Sequence, residues 1–239
     1  MKPALITAST IQELSPLIRT IKARKLPSVE FPETYEGEVG PAGVLLAVTG
    51  MGKVNAAASI TSLLERHKPG LLINTGCAGA YAGGGLAVGD LALATTEIFG
   101  DEGVLTPTGW ESLEFIGIPA LERKGNRYFN EFPLSFSATE KAMQLAIALG
   151  LPIRRGRFVT VSTCSGTKAR GEELFSQFGG ICENMEGAAA AQVALIYGVD
   201  CLEVRGISNL VEDRDLSNWD IPLAVERVQR FVLRFIETM

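Results

Sequence analysis

The sequence contains one histidine among 239 residues, and this scarcity restricts the chemistry available to it. His67 lies in the segment LLERHKPG, near the end of a predicted helix, where we expect a solvated side chain that interacts favourably with the helix dipole. No Ser-His-Asp or Cys-His arrangement can form without His67, and a histidine-rich metal site is excluded. If the protein is an enzyme, carboxylates and backbone dipoles must carry the reaction.

Several other common features are also missing. The four cysteines form no C-x-x-C pair and lie in apolar or glycine-rich contexts, which predicts reduced core residues. A formal charge of −5, with scattered Lys and Arg, argues against a nucleic-acid partner. No run approaches the ~18 apolar residues of a membrane-spanning helix, and the start lacks signal-peptide features. We therefore expect a cytoplasmic protein with no membrane partner. The cysteines are Cys77, Cys164, Cys182 and Cys201.

Predicted strands and helices alternate along the chain, which indicates an α/β fold with a largely parallel central sheet. No linker or internal repeat interrupts this order, so we predict a single domain over residues 1–239. The stretch 104–133 is irregular and aromatic, and we interpret it as a lid or a contact between subunits. The predicted elements are strand 2–8, helix 11–24, a hairpin over 37–50, helix 54–66, strand 71–74, strand 88–98, helix 137–149 with Ser137 as N-cap, strand 156–161, helix 187–197, strand 201–207 and helix 221–236.

Polar residues follow three of the predicted strands, where open α/β sheets bind ligands. Glu13 falls in the first turn after strand 1, although interaction with the helix dipole alone would also explain it. Glu186 enters a helix of small residues, and an unpaired carboxylate buried there would be costly. Together these groups predict a concave site for a small polar molecule, with one carboxylate for water and the other for a diol. The full set is Glu13, Cys77, Ala78, Gly79, Met185, Glu186, Arg205, Ser208 and Asn209.

Four motifs occur in an order and spacing that resemble the purine nucleoside phosphorylase and methylthioadenosine nucleosidase superfamily. They are Gly76-Cys77-Ala78-Gly79, Val88-Gly89-Asp90, Asn184-Met185-Glu186-Gly187-Ala188-Ala189 and Arg205-Gly206-Ile207-Ser208-Asn209. The resemblance implies a single domain with a central mixed, twisted sheet flanked by helices. Within the superfamily, three further segments are most similar to futalosine hydrolases. They are the segment GMGKVNAA, residues 99–103, and the motif ISN followed by Arg214-Asp215 and Trp219. Those enzymes release hypoxanthine from futalosine in a menaquinone pathway.

The resemblance also implies roles for the site residues. Glu186 accepts hydrogen bonds from the ribose hydroxyls, and Met185 packs beneath the sugar. Glu13 orients the attacking water, with Arg205 nearby. The segment Cys77–Gly79 lies along the base, and Ser208 belongs to the same binding set. The implied ligand is a nucleoside, no metal or organic cofactor is implied, and a homo-oligomer (a dimer or larger) is expected.

Two departures from the family pattern concern the base and the nucleophile. Adenine-cleaving nucleosidases carry an aspartate where this chain has Asn209, and an amide can donate to a ring nitrogen and a 6-oxo group but cannot act as an acid. This favours hypoxanthine over adenine. Phosphorylases usually carry an arginine where this chain has Asn74, so water is favoured over phosphate as the nucleophile.

Some alternatives remain open from the sequence. A purine nucleoside phosphorylase, a methylthioadenosine/adenosylhomocysteine-type nucleosidase and a nucleoside-binding protein without activity are the competing functions. The Gly50–Lys53 turn is best explained by close helix packing on the sheet. No aromatic residue can be assigned to stack on the base. For the 5′ side of the substrate, Arg127 and Lys124 are candidate carboxylate partners by charge, although both are better explained as solvated surface residues.

Overall fold

A mixed sheet of ten strands forms the centre of the computed structural model, which describes residues 2–27 and 31–239. Two short hairpins, β7 with β8 and β9 with β10, lie outside the sheet. The strands are β1 (Ala4–Ala8), β2 (Arg24–Lys25), β3 (Glu33–Val39), β4 (Ala42–Val48), β5 (Leu71–Ala80), β6 (Leu91–Phe99), β7 (Val104–Thr106), β8 (Gly109–Glu111), β9 (Leu121–Arg123), β10 (Asn126–Tyr128), β11 (Glu131–Pro133), β12 (Ile153–Thr160), β13 (Gly180–Asn184) and β14 (Asp200–Leu210).

Helices cover this sheet, so that an α/β fold with a mixed central sheet is observed, as predicted. The most amphipathic one, α7, begins with Pro222 in its first turn, and the Asp220 side chain accepts a hydrogen bond from the backbone N–H of Leu223 at 2.9 Å. Its apolar stripe, including Val228 and Phe235, is buried, as helical periodicity requires. The helices are α1 (Ile11–Thr20), α2 (Lys53–His67), α3 (Leu113–Ile116), α4 (Phe136–Ala148), α5 (Lys168–Phe178), α6 (Gly187–Tyr197) and α7 (Ile221–Ile236).

The sheet closes on itself over part of its width. Strand β14 pairs in parallel with β5 and antiparallel with β6. Strand β6 pairs in parallel with β12, β12 in parallel with β13, and β13 antiparallel with β5. Five strands therefore form a closed ring. Strands β1, β4, β3 and β2 extend in that order from β5, and β11 pairs with β6. The alternation of strands and helices in the sequence predicts a largely parallel sheet, whereas the β13–β5 and β14–β6 pairs are antiparallel.

Strand β5 changes its neighbour on one side, and this exchange opens the sheet where the polar residues collect. Strand β1 pairs with residues up to Asn74, and β13 pairs with Gly79 and Ala80. Between these two stretches, the backbone N–H of Cys77 donates to the Glu13 carboxylate at 2.9 Å. A side chain thus takes the place of a neighbouring strand at this point, because a buried N–H needs an acceptor. We call this stretch of β5 the fork.

Several predicted boundaries are wrong. Helix α1 ends at Thr20 rather than residue 24, and β6 begins at Leu91 rather than residue 88. The N-cap of α4 is Ser135, not Ser137, and the Ser135 hydroxyl is used elsewhere, between Asp200 and the backbone of Cys201. The stretch 104–133, predicted to be irregular, contains five short strands, β7 to β11, and α3.

Helix α5 and strand β13 are absent from the predicted elements. The α5 sequence, KARGEELFSQF, is polar overall and buries only Gly171, Leu174 and Phe178. Among the described residues, no helix combines the length and the apolar character needed to cross a membrane. Leu105, Phe115 and Ile118 in the 104–133 stretch are exposed, and a subunit contact there stays a prediction.

Candidate active site

A cavity of about 240 Å³ lies just beyond the end of β1 and against the carboxyl-terminal parts of β5 and β14. All nine predicted site residues line it, although they come from four separate parts of the sequence. Larger cavities exist; one of about 480 Å³ is lined by Arg227, Arg230 and Arg234 with apolar side chains and contains none of the predicted residues. The nine residues are Glu13, Cys77, Ala78, Gly79, Met185, Glu186, Arg205, Ser208 and Asn209.

Glu186 is held at the start of α6 by polar groups from two directions. Its Oε1 atom accepts a hydrogen bond from the backbone N–H of Gly52 at 2.9 Å. The Asn184 amide oxygen accepts the N–H groups of Glu186 and Gly187 at 3.0 and 2.7 Å, and so satisfies donors that a helix start leaves free. Burial raises the pKa of Glu186, against the opposing effects of Arg205 and the Gly52 N–H.

Gly52 therefore does more than allow close packing. It adopts φ +92°, a conformation that favours glycine, and this turn directs its N–H at a site carboxylate. The predicted packing role for the Gly50–Lys53 turn is incomplete for this reason.

Glu13 lies at the start of α1 and also lines the cavity. Its Oε2 atom accepts from the Thr10 backbone N–H at 2.9 Å, while the Thr10 side chain accepts from the Glu13 N–H, which forms a capping box at the start of α1. Oε2 also accepts from Ser9 Oγ at 2.7 Å, and Oε1 accepts the Cys77 N–H. The helix-start interaction and the position at the cavity thus belong to one carboxylate.

Arg205 links the carboxylates and is almost completely buried, at 1% exposure. Its Nε donates to Glu203 Oε1 at 2.8 Å, and its Nη2 lies 3.6 Å from Glu186 Oε2. Burial opposes its charge, but the carboxylates of Glu203, Glu186 and Glu13 together raise the pKa of Arg205. We call Glu13, Glu186 and Arg205 the charged end of the cavity.

Gly76 is required for the charged end to assemble. It adopts φ +138°, and a Cβ there would lie 2.4 Å from Glu13 Oε1 and 3.0 Å from Arg205 Nη1. Any side chain would separate these two groups, so that glycine is needed for space as well as for conformation.

A second pair of carboxyl groups, Glu97 and Glu203, lies behind the charged end with no exposed surface. A Cβ on Gly187 would lie 2.0 Å from Glu97 Oε1 and 2.6 Å from Glu203 Oε1, so the two acids face each other across this glycine. Thr160 Oγ1 and Asn184 Nδ2 donate to Glu97 at 2.6 and 2.7 Å. Burial and the nearby Glu203 carboxylate raise the pKa of Glu97 well above that of an ordinary glutamate.

The opposite end of the cavity presents an amide. Asn209 Nδ2 donates to the Leu210 carbonyl at 3.0 Å, and Asn209 Oδ1 accepts from Ser208 Oγ at 2.8 Å. These contacts fix the orientation of the carboxamide and leave one of the two Nδ2 hydrogens available. A Cβ on Gly79 would lie 3.1 Å from Nδ2. We call Gly79, Ser208 and Asn209 the amide end.

Two cysteines lie at the cavity rather than in the core. Cys77 is half-buried and Cys164 is exposed, which contradicts the prediction of core residues for both; Cys182 and Cys201 are buried as predicted. Burial raises the pKa of the Cys77 thiol to about 12, so a neutral thiol forms part of the cavity wall and is a poor nucleophile.

Sequence reasoning missed several cavity residues. Glu183 lies within β13, and Ser165 lies in the loop between β12 and α5. Neither β13 nor α5 was predicted from the sequence. Arg214 and Trp219 were noted only within a motif, and the Arg214 guanidinium lies 4.8 Å from the centre of the Trp219 ring. The remaining lining residues are Ser9, Met51, Cys164 and Asn184.

Other candidates lie elsewhere. Arg127 forms an ion pair with Glu122 at 3.1 Å and, like Lys124 and His67, does not line the cavity. Among residues 2–27 and 31–239, no group of three His, Cys, Asp or Glu side chains is arranged to hold a metal ion.

The family model described as the phosphorylase superfamily matches residues 2–237. The chain belongs to the phosphorylase superfamily. Among its relatives in the superfamily, the futalosine hydrolase of Thermus thermophilus is 36% identical over 194 residues, which cover 81% of each chain. The 5′-methylthioadenosine/S-adenosylhomocysteine nucleosidase of a Geobacillus species is 33% identical over 211 residues, which cover 88% of this chain and 86% of the relative. These relatives confirm the prediction of an enzyme of the N-glycosidic-bond hydrolase type.

Solved structures of the superfamily share the fold. A futalosine hydrolase mutant of Helicobacter pylori matches with a TM-score of 0.86 at 20% identity, over 100% of both chains. A 5′-methylthioadenosine/S-adenosylhomocysteine nucleosidase of Neisseria meningitidis in complex with methylthio-immucillin-A matches with a TM-score of 0.85 at 22% identity, again over 100% of both chains. The predicted fold is therefore confirmed, and the choice between substrates depends on the side chains of the cavity.

Proposed function

We propose that the protein hydrolyses the N-glycosidic bond of futalosine and releases hypoxanthine and dehypoxanthine futalosine, a step of menaquinone biosynthesis by the futalosine pathway. The observation that carries the proposal is the amide of Asn209 at the cavity, where adenine-cleaving nucleosidases have an aspartate. The oriented carboxamide has a donor hydrogen to spare and suits a 6-oxopurine better than adenine. The first relative described above, named a futalosine hydrolase, supports the same substrate.

In this proposal the charged end binds the sugar and the water. Glu186 accepts hydrogen bonds from the ribose hydroxyls, and its negative charge stabilises the oxocarbenium character that develops as the bond to the base breaks. Met185, which lines the cavity beside Glu186, packs beneath the sugar. The contact between Gly52 and Glu186 Oε1 leaves further accepting positions on the carboxylate for two hydroxyl groups.

Glu13 orients the water that attacks the sugar. Three donors hold its Oε2 atom, namely the hydroxyls of Ser9 and Thr10 and the backbone N–H of Thr10, whereas Oε1 accepts only the Cys77 N–H and keeps a position for the water. This rigid support fixes the direction of a hydrogen bond to water, and fixed geometry is a main source of catalytic effect. Arg205 stands beside both carboxylates and stabilises their negative charges while the water is positioned.

The amide end accepts the leaving base. Asn209 donates a hydrogen bond and so stabilises negative charge on the departing 6-oxopurine without transferring a proton. The C–N bond breaks as the C–O bond to water forms, and the anionic base takes up, through solvent, the proton that the water loses. Cys77, Ala78 and Gly79 lie along the base, and Ser208 holds the carboxamide in its orientation.

Water is proposed as the nucleophile in preference to phosphate. At the position where phosphorylases usually carry an arginine, Asn74 is 2% exposed and accepts a hydrogen bond from Thr7 Oγ1 at 3.1 Å. It does not line the cavity. Phosphate binding requires cationic or other strong hydrogen-bond donors. In the described part of the chain, two cations line the cavity: Arg205, which is paired with buried carboxylates, and Arg214, which is exposed.

Arg214 is proposed to recognise the 5′ side of futalosine, which carries a benzoate. The guanidinium stacks against Trp219, and an arginine with an aromatic neighbour suits an aryl carboxylate. This replaces Arg127 and Lys124, whose positions away from the cavity do not support that role.

The decisive experiment incubates the purified protein with futalosine, with and without phosphate, and follows the free base by chromatography. We expect hypoxanthine at the same rate in both conditions, and no ribose 1-phosphate product. Methylthioadenosine and adenosylhomocysteine are tested in parallel, because relatives with those substrates are similar in sequence. Faster release of adenine than of hypoxanthine would refute the proposal, and so would turnover that requires phosphate.

A further inference from the structure

Glu183 is a buried acid that lines the cavity and has no part in the reaction as proposed. It is 6% exposed. Its Oε1 atom accepts from the Ser165 backbone N–H at 2.8 Å, and its Oε2 atom accepts from Ser165 Oγ at 2.6 Å and Tyr81 OH at 3.2 Å. None of these partners is a cation. A buried carboxylate held only by neutral donors at a ligand cavity calls for an explanation.

The strand register places Glu183 and Asn209 on either side of the same residue. Glu183 pairs with Gly79 across β13 and β5, and Asn209 pairs with Gly79 across β14 and β5. Residues paired across neighbouring strands direct their side chains to the same face of a sheet. A Cβ on Gly79 would lie 3.1 Å from Asn209 Nδ2 and 3.7 Å from Glu183 Cγ. The three positions thus form a row of carboxylate, open space and amide.

The row complements one edge of a 6-oxopurine. The edge presents an acceptor, O6, next to a donor, N1–H, whereas adenine presents a donor amino group next to an acceptor nitrogen. An ionised carboxylate accepts at about four positions, and its three donors leave one available. We propose that Glu183 determines the base by accepting a hydrogen bond from N1–H of a 6-oxopurine, while Asn209 donates to O6. This inference rests on the proposed function and extends it to a second residue.

The pairing explains discrimination in a way that Asn209 alone does not. With adenine in the cavity, the Glu183 carboxylate would face the lone pair of N1 and lose a hydrogen bond, and the Asn209 donor would face an amino group. Buried polar groups left without partners are the basis of strong selectivity between similar ligands. A 6-oxopurine without the N1 hydrogen should therefore bind as poorly as a base of the wrong pattern.

Another role for Glu183 would be to hold the 162–167 loop through Ser165. The two roles are separated by measuring the binding of free bases, without turnover, by isothermal titration calorimetry. The probes are hypoxanthine and 1-methylhypoxanthine, which lacks the N1 hydrogen. The proteins are the wild type, Glu183→Gln, and Ser165→Ala as a matched variant that removes a loop contact but keeps the carboxylate.

For the wild type we expect hypoxanthine to bind at least about tenfold more tightly than 1-methylhypoxanthine, since a hydrogen bond to a charged group is lost. Glu183→Gln should reduce this ratio at least several-fold, whereas Ser165→Ala should keep it even if both affinities fall. A ratio that is the same in the wild type and in Glu183→Gln, or that falls equally in Ser165→Ala, would overturn the inference. If these ratios change as expected while futalosine is not hydrolysed, the proposed function fails and the base recognition stands.

Discussion

The two ends of the cavity solve the problem of buried polarity in different ways. At the charged end, the carboxylates of Glu13 and Glu186 lie beside the buried guanidinium of Arg205, and the opposite charges compensate each other without solvent. At the amide end, and at Glu183 beside it, Asn209 and Glu183 are held by hydroxyl and backbone groups, none of which is a cation. Ion pairs of this kind tolerate little change, because removing one partner leaves an uncompensated charge. A hydrogen-bonding side chain can be replaced by another that donates where the first accepts, without leaving a buried charge unpaired. We therefore expect members of the superfamily that cleave different bases to differ at the amide end.

The largest effect should come from breaking the charged end. In Glu186→Gln we expect kcat/KM for futalosine to fall by about 10²–10³-fold, because a neutral amide cannot stabilise the developing positive charge on the sugar. Initial rates of hypoxanthine release give the measurement, and circular dichroism verifies the fold. The matched control is Glu226→Gln, an exposed glutamate of α7 paired with Arg230, which should retain full activity. If the protein only binds nucleosides, the wild type, Glu186→Gln and Glu226→Gln would behave identically.

A smaller effect, on preference more than on rate, should follow from altering the amide end. Asn209→Asp replaces a donor by a group that accepts, or donates only when protonated. We expect hypoxanthine release from futalosine to weaken at least about tenfold relative to adenine release from methylthioadenosine. The ratio of the two kcat/KM values is the quantity to compare with the wild type. An unchanged ratio would remove Asn209 from base selection.

Arg214 tests whether the exposed side of the cavity adds a third kind of contact. Arg214→Ala should lower kcat/KM for futalosine by about tenfold, since a charge-assisted contact to a carboxylate is lost, while inosine, which has no such group, should be affected little. Arg170→Ala is the matched control, because Arg170 pairs with Glu173 on α5. Equal losses with futalosine and inosine would mean that Arg214 acts on the cavity in general.

The smallest effect concerns the acids behind the charged end. Because the pKa of Glu97 is raised in the folded protein, the folded state keeps a proton that the unfolded chain loses from about pH 4.5 upward. The free energy of unfolding should therefore decrease as pH rises toward the raised value, by up to about 1.4 kcal/mol per pH unit for one proton.

Urea denaturation between about pH 5 and pH 8 measures this slope. Glu97→Gln cannot titrate and should show a shallower decline than the wild type, whereas Glu226→Gln should match it. If the free energy of unfolding decreases with pH equally steeply in Glu97→Gln and in the wild type, the Glu97 carboxyl does not hold the proton.

The sequence predicted the residues of the cavity better than the way in which the sheet brings them together. Glu13 and Glu186 each follow a strand, Asn209 lies near the carboxyl end of β14, and the carboxyl ends of strands are where such residues meet. The closed ring was not predictable from periodicity, because alternation of apolar residues shows that β14 is a strand but not that it pairs with both β5 and β6.

Glu183 and Glu97 were missed for related reasons. Glu183 belongs to β13, a five-residue strand after a helix with only three buried residues, so the local pattern is too weak to identify either. Glu97 lies within the apolar strand β6, where one glutamate is indistinguishable in sequence from a residue on a solvated face. Its burial comes from the packing of α6 over it, a tertiary effect that local sequence does not contain.

The fork in β5 has a consequence for how changes at position 13 are interpreted. Since the Glu13 carboxylate completes the hydrogen bonding of a strand as well as lining the cavity, the strand backbone and the proposed reaction depend on the same side chain. Lost activity in a Glu13 variant would combine a chemical deficit with a local rearrangement of Cys77 and its neighbours, and the two contributions are not additive. A residue that serves both purposes can be exchanged only together with the strand beside it, which makes position 13 far less free to diverge than position 209.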